Sequence, residues 1–205
     1  MSGINRRPCA IGPAHFDNPT NPENRTMKIL LACLTLVLLS VGVSAAPKPI
    51  NLSITPDLAL YGRSERIEGL TLSIWGENPQ VALALGIANG STGQSAGLSW
   101  AFVLNYADDY QGIQWAPINY TTGNFLGWQH GFVNYAGGSM RGLQSGAVNY
   151  TRRLTGLQFG VVNFADDADT GVQIGVVNII RSNNRWFSDL PEELAPAMIF
   201  VNWRF

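Results

Sequence analysis

His130 is the only histidine in residues 46–205, and it is the first side chain to ask for chemistry. An imidazole acts as a base or holds a metal only with partners around it, and no acid, nucleophile or further ligand stands at a telling spacing from it. Asp166, Asp167 and Asp169 could offer carboxylate oxygens to calcium. Asp108-Asp109 has the same turn-like setting, so both read as solvated turns. The glycines open β-like units instead of joining a strand to a helix, which argues against a phosphate-cradling loop. Trp75, Trp100, Trp115, Trp128, Trp186 and Trp203 could stack on sugars, although core or interface placement is their ordinary use in a β-protein. Cys9 and Cys33 both precede Ala46, so the rest of the chain has no thiol, disulfide or Cys-ligated zinc. The expectation is no catalytic residue, no cofactor and no metal. A small barrel enzyme acting on lipids, with His130 as base, is the remote alternative.

Charge narrows the partners. Residues 46–205 carry one Lys and eight Arg against twelve Asp plus Glu, a net charge of −3, which offers no basic surface for nucleic acid. Residues 1–26 are polar and hold Pro8, Pro13, Pro19 and Pro22; they read as a start-site artefact or a disordered extension. Met27-Lys28, the apolar run Ile29–Val43 and the small residues Ser44-Ala45-Ala46 make residues 27–45 a secretory signal peptide, cut after Ala45. The run is shorter than the ~20 apolar residues a spanning helix needs. Residues 46–205 are then one exported domain.

The elements that would position any site are repeats. Five copies read Gly112-Ile-Gln-Trp-Ala-Pro-Ile-Asn-Tyr120, Gly127-Trp-Gln-His-Gly-Phe-Val-Asn-Tyr135, Gly142-Leu-Gln-Ser-Gly-Ala-Val-Asn-Tyr150, Gly156-Leu-Gln-Phe-Gly-Val-Val-Asn-Phe164 and Gly171-Val-Gln-Ile-Gly-Val-Val-Asn-Ile179. Their first glycines step by 15, 15, 14 and 15 residues, too regular for chance. The signature residues are Gly, Gln and Asn at 112, 114 and 119, and their equivalents Gly127, Gln129, Asn134, Gly142, Gln144, Asn149, Gly156, Gln158, Asn163, Gly171, Gln173 and Asn178. Each unit is rich in strand formers and bounded by turn residues. Leu157, Phe159 and Val161 share one face, and Gly156, Gln158 and Gly160 share the other. Val81, Leu83, Leu85 and Ile87 alternate with small residues in the same way, and no window reads as an amphipathic helix.

Two all-β architectures fit. The main expectation is an up-and-down transmembrane β-barrel of about ten strands, near 50–60, 66–76, 79–88, 97–106, 111–120, 126–135, 141–150, 155–164, 170–180 and 196–205. Its apolar face would meet outer-membrane lipid, and Tyr106, Tyr120, Tyr135 and Tyr150 would fall alternately at the two interfaces. Its last strand alternates and ends Trp203-Arg-Phe205, like the C-terminal signal read by the barrel-insertion machinery. The alternative is a parallel β-solenoid of 14–15-residue coils, in which every Gln stacks on a Gln and every Asn on an Asn, about 4.8 Å apart. It accounts better for the constant Gln and Asn positions.

The Gly-Leu-Gln-x-Gly-x-Val-Asn-Tyr units and the final Asn-Trp-Arg-Phe resemble a family of bacterial surface-repeat proteins, over about residues 50–205. The resemblance implies export and a place in the outer membrane or at the cell surface of a Gram-negative bacterium. It implies no reaction and no assigned ligand, so the expected role is structural or an interaction, with an exported solenoid binding module as the alternative. Three departures stand out: Pro117 inside a strand, where it must interrupt the ladder, and His130 and Ser145 in the otherwise apolar fourth position. The long connection Arg181–Pro196 is a candidate contact loop.

Overall fold

The computed structural model describes residues 46–205; the expected signal peptide and the segment before it lie outside the described residues. The architecture is a parallel β-solenoid of about seven coils, not the ten-strand barrel. The strands are β1 (Lys48–Thr55), β2 (Leu58–Ala59), β3 (Ile67–Asn78), β4 (Gln80–Trp115), β5 (Ile118–Thr121), β6 (Phe125–His130), β7 (Val133–Ile180) and β8 (Ala197–Arg204). β4 and β7 run on through several coils, because their bends do not interrupt the hydrogen-bond ladder.

Coil-to-coil pairing is parallel and in register with the repeat. Gly112, Ile113 and Gln114 lie beside Gly127, Trp128 and Gln129, which lie beside Gly142, Leu143 and Gln144. The early alternating segments are coils of the same solenoid. Leu70, Thr71 and Leu72 of β3 pair with Leu83, Ala84 and Leu85 of β4, a step of 13 residues. The ends are closed by antiparallel pieces. β2 folds back on β1, and β8 runs antiparallel along the last coil, with Trp203 opposite Val172 and Asn202 opposite Gln173. Near its end β8 also bonds to the preceding loop, Leu194 N–H to the Trp203 carbonyl and Phe205 N–H to the Glu192 carbonyl. The last strand therefore caps a solenoid where barrel closure was expected. Covering the end in this way blunts an edge that would otherwise recruit another strand.

The coil Phe125–Ser139 shows the plan. An arm (β6) runs to His130, the chain bends at Gly131-Phe132, a second arm starts at Val133, and a polar turn at Gly137–Ser139 leads to the next coil. One coil earlier the same bend falls at Ala116-Pro117; the strand breaks here and at Gly131-Phe132, whereas the equivalent bends inside β4 and β7 stay in the ladder, in keeping with the N–H that proline lacks. The Pro117 carbonyl still accepts from the N–H groups of Phe132 (2.8 Å) and Val133 (2.9 Å).

Two amide ladders fill much of the interior. Asn105 Nδ2 donates to Asn119 Oδ1 (3.0 Å), and the chain continues through Asn134, Asn149, Asn163 and Asn178 at 2.8–2.9 Å. Every one of these donations points to the following coil. The glutamines do the reverse: Gln129, Gln144, Gln158 and Gln173 each donate to Oε1 of the preceding coil's glutamine, at 2.7–3.0 Å. The two stacks of side-chain dipoles thus oppose each other along the axis, while bonds within each stack reinforce one another. The second amide proton shows why these two residue types are needed. Asn134 Nδ2 also binds the Ser145 carbonyl at the next coil's bend (3.0 Å), and Asn149 and Asn163 bind the carbonyls of Phe159 and Ile174 likewise. The longer Gln144 reaches across its own coil to the Tyr150 carbonyl (3.1 Å), tying the two arms together. Beside the ladders runs a narrow apolar column, Tyr110, Phe125, Met140 and Leu154, faced by Ala107, Ala136 and Ala165.

Candidate functional site

With amides inside, the apolar residues of the repeat are left outside. The second residue of each unit forms an exterior column Ile113, Trp128, Leu143, Leu157 and Val172, continued backwards by Leu83 and Leu70 and forwards by Trp203. The fourth position forms a second: Trp115, His130, Ser145, Phe159 and Ile174, with Trp100 in the coil before. At the bend a third stands out, with Phe102 69%, Phe132 68%, Val161 51% and Val176 58% exposed. Ile118, Val133, Val148 and Val177 form a fourth beyond it. The last column holds the tyrosines. Rather than alternating between two interfaces, Tyr120, Tyr135, Tyr150 and Phe164 stack in one file, with ring centres 4.7, 4.9 and 5.5 Å apart.

Charge keeps to the opposite arc. Between Gln80 and Ile180 the charged residues are Asp108, Asp109, Arg141, Arg152, Arg153, Asp166, Asp167 and Asp169, and all of them sit around the polar turns. Arg181 binds Asp166 at 2.9 Å, and Arg153 lies 3.5 Å from Asp167 and 3.9 Å from Asp169. These carboxylates serve a surface stripe of exposed pairs, each contributing little to stability. No group of three His, Cys, Asp or Glu converges on a metal-sized site among the described residues.

The signature residues divide by task. Gly112, Gly127, Gly142 and Gly156 take φ of +131°, +133°, +126° and +131°, each backed against the backbone of the preceding coil. The Gln and Asn residues are fully buried and hold the ladders, so none of them faces a ligand. The glutamine stack is open at both ends: Gln114 Nε2 and Gln173 Oε1 are buried without partners. Ser99 stands at the register position before Gln114 and turns to Asn105 instead (2.8 Å), which leaves that first amide unpaired. Trp203 and Phe205, expected as an assembly signal, lie in the cap; Trp203 Nε1 binds the Pro191 carbonyl (2.9 Å), and Phe205 is 61% exposed. The loop before β8 is held by Asn183, whose amide reaches the carbonyls of Ala195 and Trp203.

His130 gains a partner that the sequence reading left out. Its Nδ1 is 2.9 Å from Ser145 Oγ, one coil on, and Trp128 Nε1 donates to the same hydroxyl at 2.8 Å. The shared fourth position was the signal, since a 15-residue step in a solenoid means stacking. Trp115 packs its ring against the imidazole, 5.0 Å between centres. A Ser–His pair does acyl chemistry only with an acid orienting the other ring nitrogen and donors for the oxyanion. No carboxylate hydrogen-bonds to His130 among the described residues. A shallow groove of about 420 Å³ beside the pair is lined by Trp100, Phe102, Trp115, Pro117 and Phe132, so its chemistry is apolar contact.

Ionisation follows the same division. Burial pushes the Tyr110 hydroxyl, inside the solenoid, well above the ordinary phenol range. Tyr106, which accepts from Trp75 Nε1 at 3.2 Å, is pushed up to about 12, chiefly by burial. The Tyr150 hydroxyl donates to Asp166 Oδ2 at 2.8 Å, and that bond raises its pKa. Tyr150 therefore stays neutral at physiological pH, and through its bond to Asp166 it joins the apolar wall to the charged stripe.

Comparison with protein-family models, with curated proteins and with solved structures gives no match to this chain.

Proposed function

We propose that residues 46–205 form an exported β-solenoid interaction module of the bacterial cell envelope, and that its working surface is the apolar outer wall. One observation carries the reading: between Gln80 and Ile180 the solenoid stacks its amide side chains inside, confines charge to one arc, and places its large apolar side chains on the surface. A monomeric soluble protein seldom leaves so large a contiguous apolar area open, and such areas mark interaction sites. Export rests on the apolar run Ile29–Val43 and the small residues up to Ala46. The role is binding, without catalysis, because the wall offers a single Ser–His contact and no acid to drive it.

The test is fractionation of the producing cells. A Phe132→Asp, Val161→Asp double variant should leave the envelope pellet for the soluble fraction. Both side chains point outwards, so its unfolding midpoint should match that of the parent. Retention of the folded variant in the pellet, at the parent's level, overturns the wall as the working surface.

A further inference from the structure

The shape of the wall says what covers it. We propose that its partner is the acyl layer of a lipid bilayer, on which the solenoid lies with its axis in the membrane plane. The bend column enters the hydrocarbon and the charged stripe faces water. This inference rests on the wall being the working surface and names its occupant.

The wall is convex. Phe102, Phe132, Val161 and Val176, all more than half exposed, form a ridge along the bend, with apolar flanks on both arms. A second copy presents the same ridge, and ridge against ridge leaves all four flanks wet. A fluid acyl layer closes around a ridge and covers both flanks. At about 4.8 Å per coil, the five steps from Phe102 to Val176 give a ridge roughly 24 Å long.

Lipid also demands that no polar group reach it unpaired. The backbone here is bonded from coil to coil. Three polar side chains of the wall bind one another, Trp128 Nε1 and His130 Nδ1 both meeting Ser145 Oγ. The border fits as well. Tyr120, Tyr135 and Tyr150 stack where wall gives way to stripe, and the Tyr150 hydroxyl is already bonded to Asp166 on the wet side. Amphipathic rings favour the level of the headgroups. Finally, the wall carries no cation, and Arg153 and Arg181 of the stripe already lie against Asp167, Asp169 and Asp166, so attraction to anionic headgroups is not the driving force. Neutral lipid suffices, and salt should not matter.

The experiment uses the full chain with phosphatidylcholine vesicles whose acyl chains carry bromine, and reads quenching of tryptophan fluorescence. All six tryptophans follow Ala46, so the apolar run Ile29–Val43 contributes no signal. Quenching should be the same at low and high salt. Phe132→Asp should weaken the apparent affinity at least about tenfold, because a carboxylate in the acyl layer is strongly disfavoured. Phe102→Asp provides a second variant, and circular dichroism checks that both keep the fold. Quenching that Phe132→Asp leaves untouched overturns the proposal, since the contact then lies elsewhere. No quenching, with self-association that Phe132→Asp abolishes, overturns the lipid and keeps the wall as an interface between copies. No quenching from a monomer overturns both.

Discussion

Replacing Asn134 with Leu should cost about 3–5 kcal/mol, enough to consume much of the stability of a domain this size. Asn134 takes part in three buried bonds: it accepts from Asn119 (2.9 Å) and donates to Asn149 Oδ1 (2.8 Å) and to the Ser145 carbonyl (3.0 Å). Leucine removes all three: it orphans the Asn149 side-chain oxygen and leaves the Ser145 carbonyl with the Gly131 N–H alone (3.1 Å). Each buried polar group orphaned in this way costs about 1–3 kcal/mol. Asn119 suffers less, because its amide keeps the His130 carbonyl at 2.8 Å. Gln114→Leu is the internal control. Gln114 stands at the open end of its stack, with Nε2 already unpartnered, and Gln129 Nε2 retains Thr121 Oγ1 at 3.1 Å once Gln114 is gone. Its cost should be about 1 kcal/mol. Urea unfolding of the two variants measures the difference, and equal losses would show that position along the ladder is irrelevant. Coils touch only their neighbours, so Asn134→Leu should also broaden the transition as the two halves of the stack lose their coupling.

These ladders were the most legible part of the molecule. Constant Gln and Asn at a fixed step have little use in an antiparallel barrel, where like positions do not meet, and an obvious use in a parallel stack. The barrel was nevertheless the main expectation, for a physical reason. A strand with apolar and small residues alternating looks the same whether its small face lines a pore or packs on amides. Direction of pairing is what differs, and one strand does not encode its neighbour's direction. Leu70, Leu72, Leu83 and Leu85 misled most, because their coils lack the signature glutamine and use Thr71 and Ala84 at its position. The antiparallel β8 did supply a barrel-like final strand, but as a cap. The candidate site was half legible. The apolar outward faces followed from alternation, whereas the His130–Ser145 contact and the tyrosine file needed the coils to be stacked before residues 15 apart became neighbours.

Gly142→Ala should prevent stable folding, at a cost above about 4 kcal/mol, because two independent penalties fall on one methyl group. The backbone at Gly142 has φ of +126°, outside the range that L-residues ordinarily adopt. A Cβ there would also drive into the carbonyl oxygen of Gly127 in the preceding coil. That oxygen belongs to a backbone locked into the parallel ladder on both sides, so it cannot retreat without parting Gly127 from Gly142 and breaking the register of two coils. The nearer comparison is Gly93, with φ of +59° and nothing within 4 Å of an added Cβ. Gly93→Ala carries only the backbone penalty, about 1–2 kcal/mol, and should fold. The two variants therefore separate conformation from contact. A far-UV spectrum with parental strand signal and an unchanged unfolding midpoint for Gly142→Ala would mean that the glycine column is not what sets the spacing of the coils. Loss of the fold in Gly142→Ala alone would place the first residue of the repeat beside the ladder amides as a determinant of the solenoid, and would explain why the repeat opens on glycine while the residue after it, facing outward, varies freely among Ile, Trp, Leu and Val.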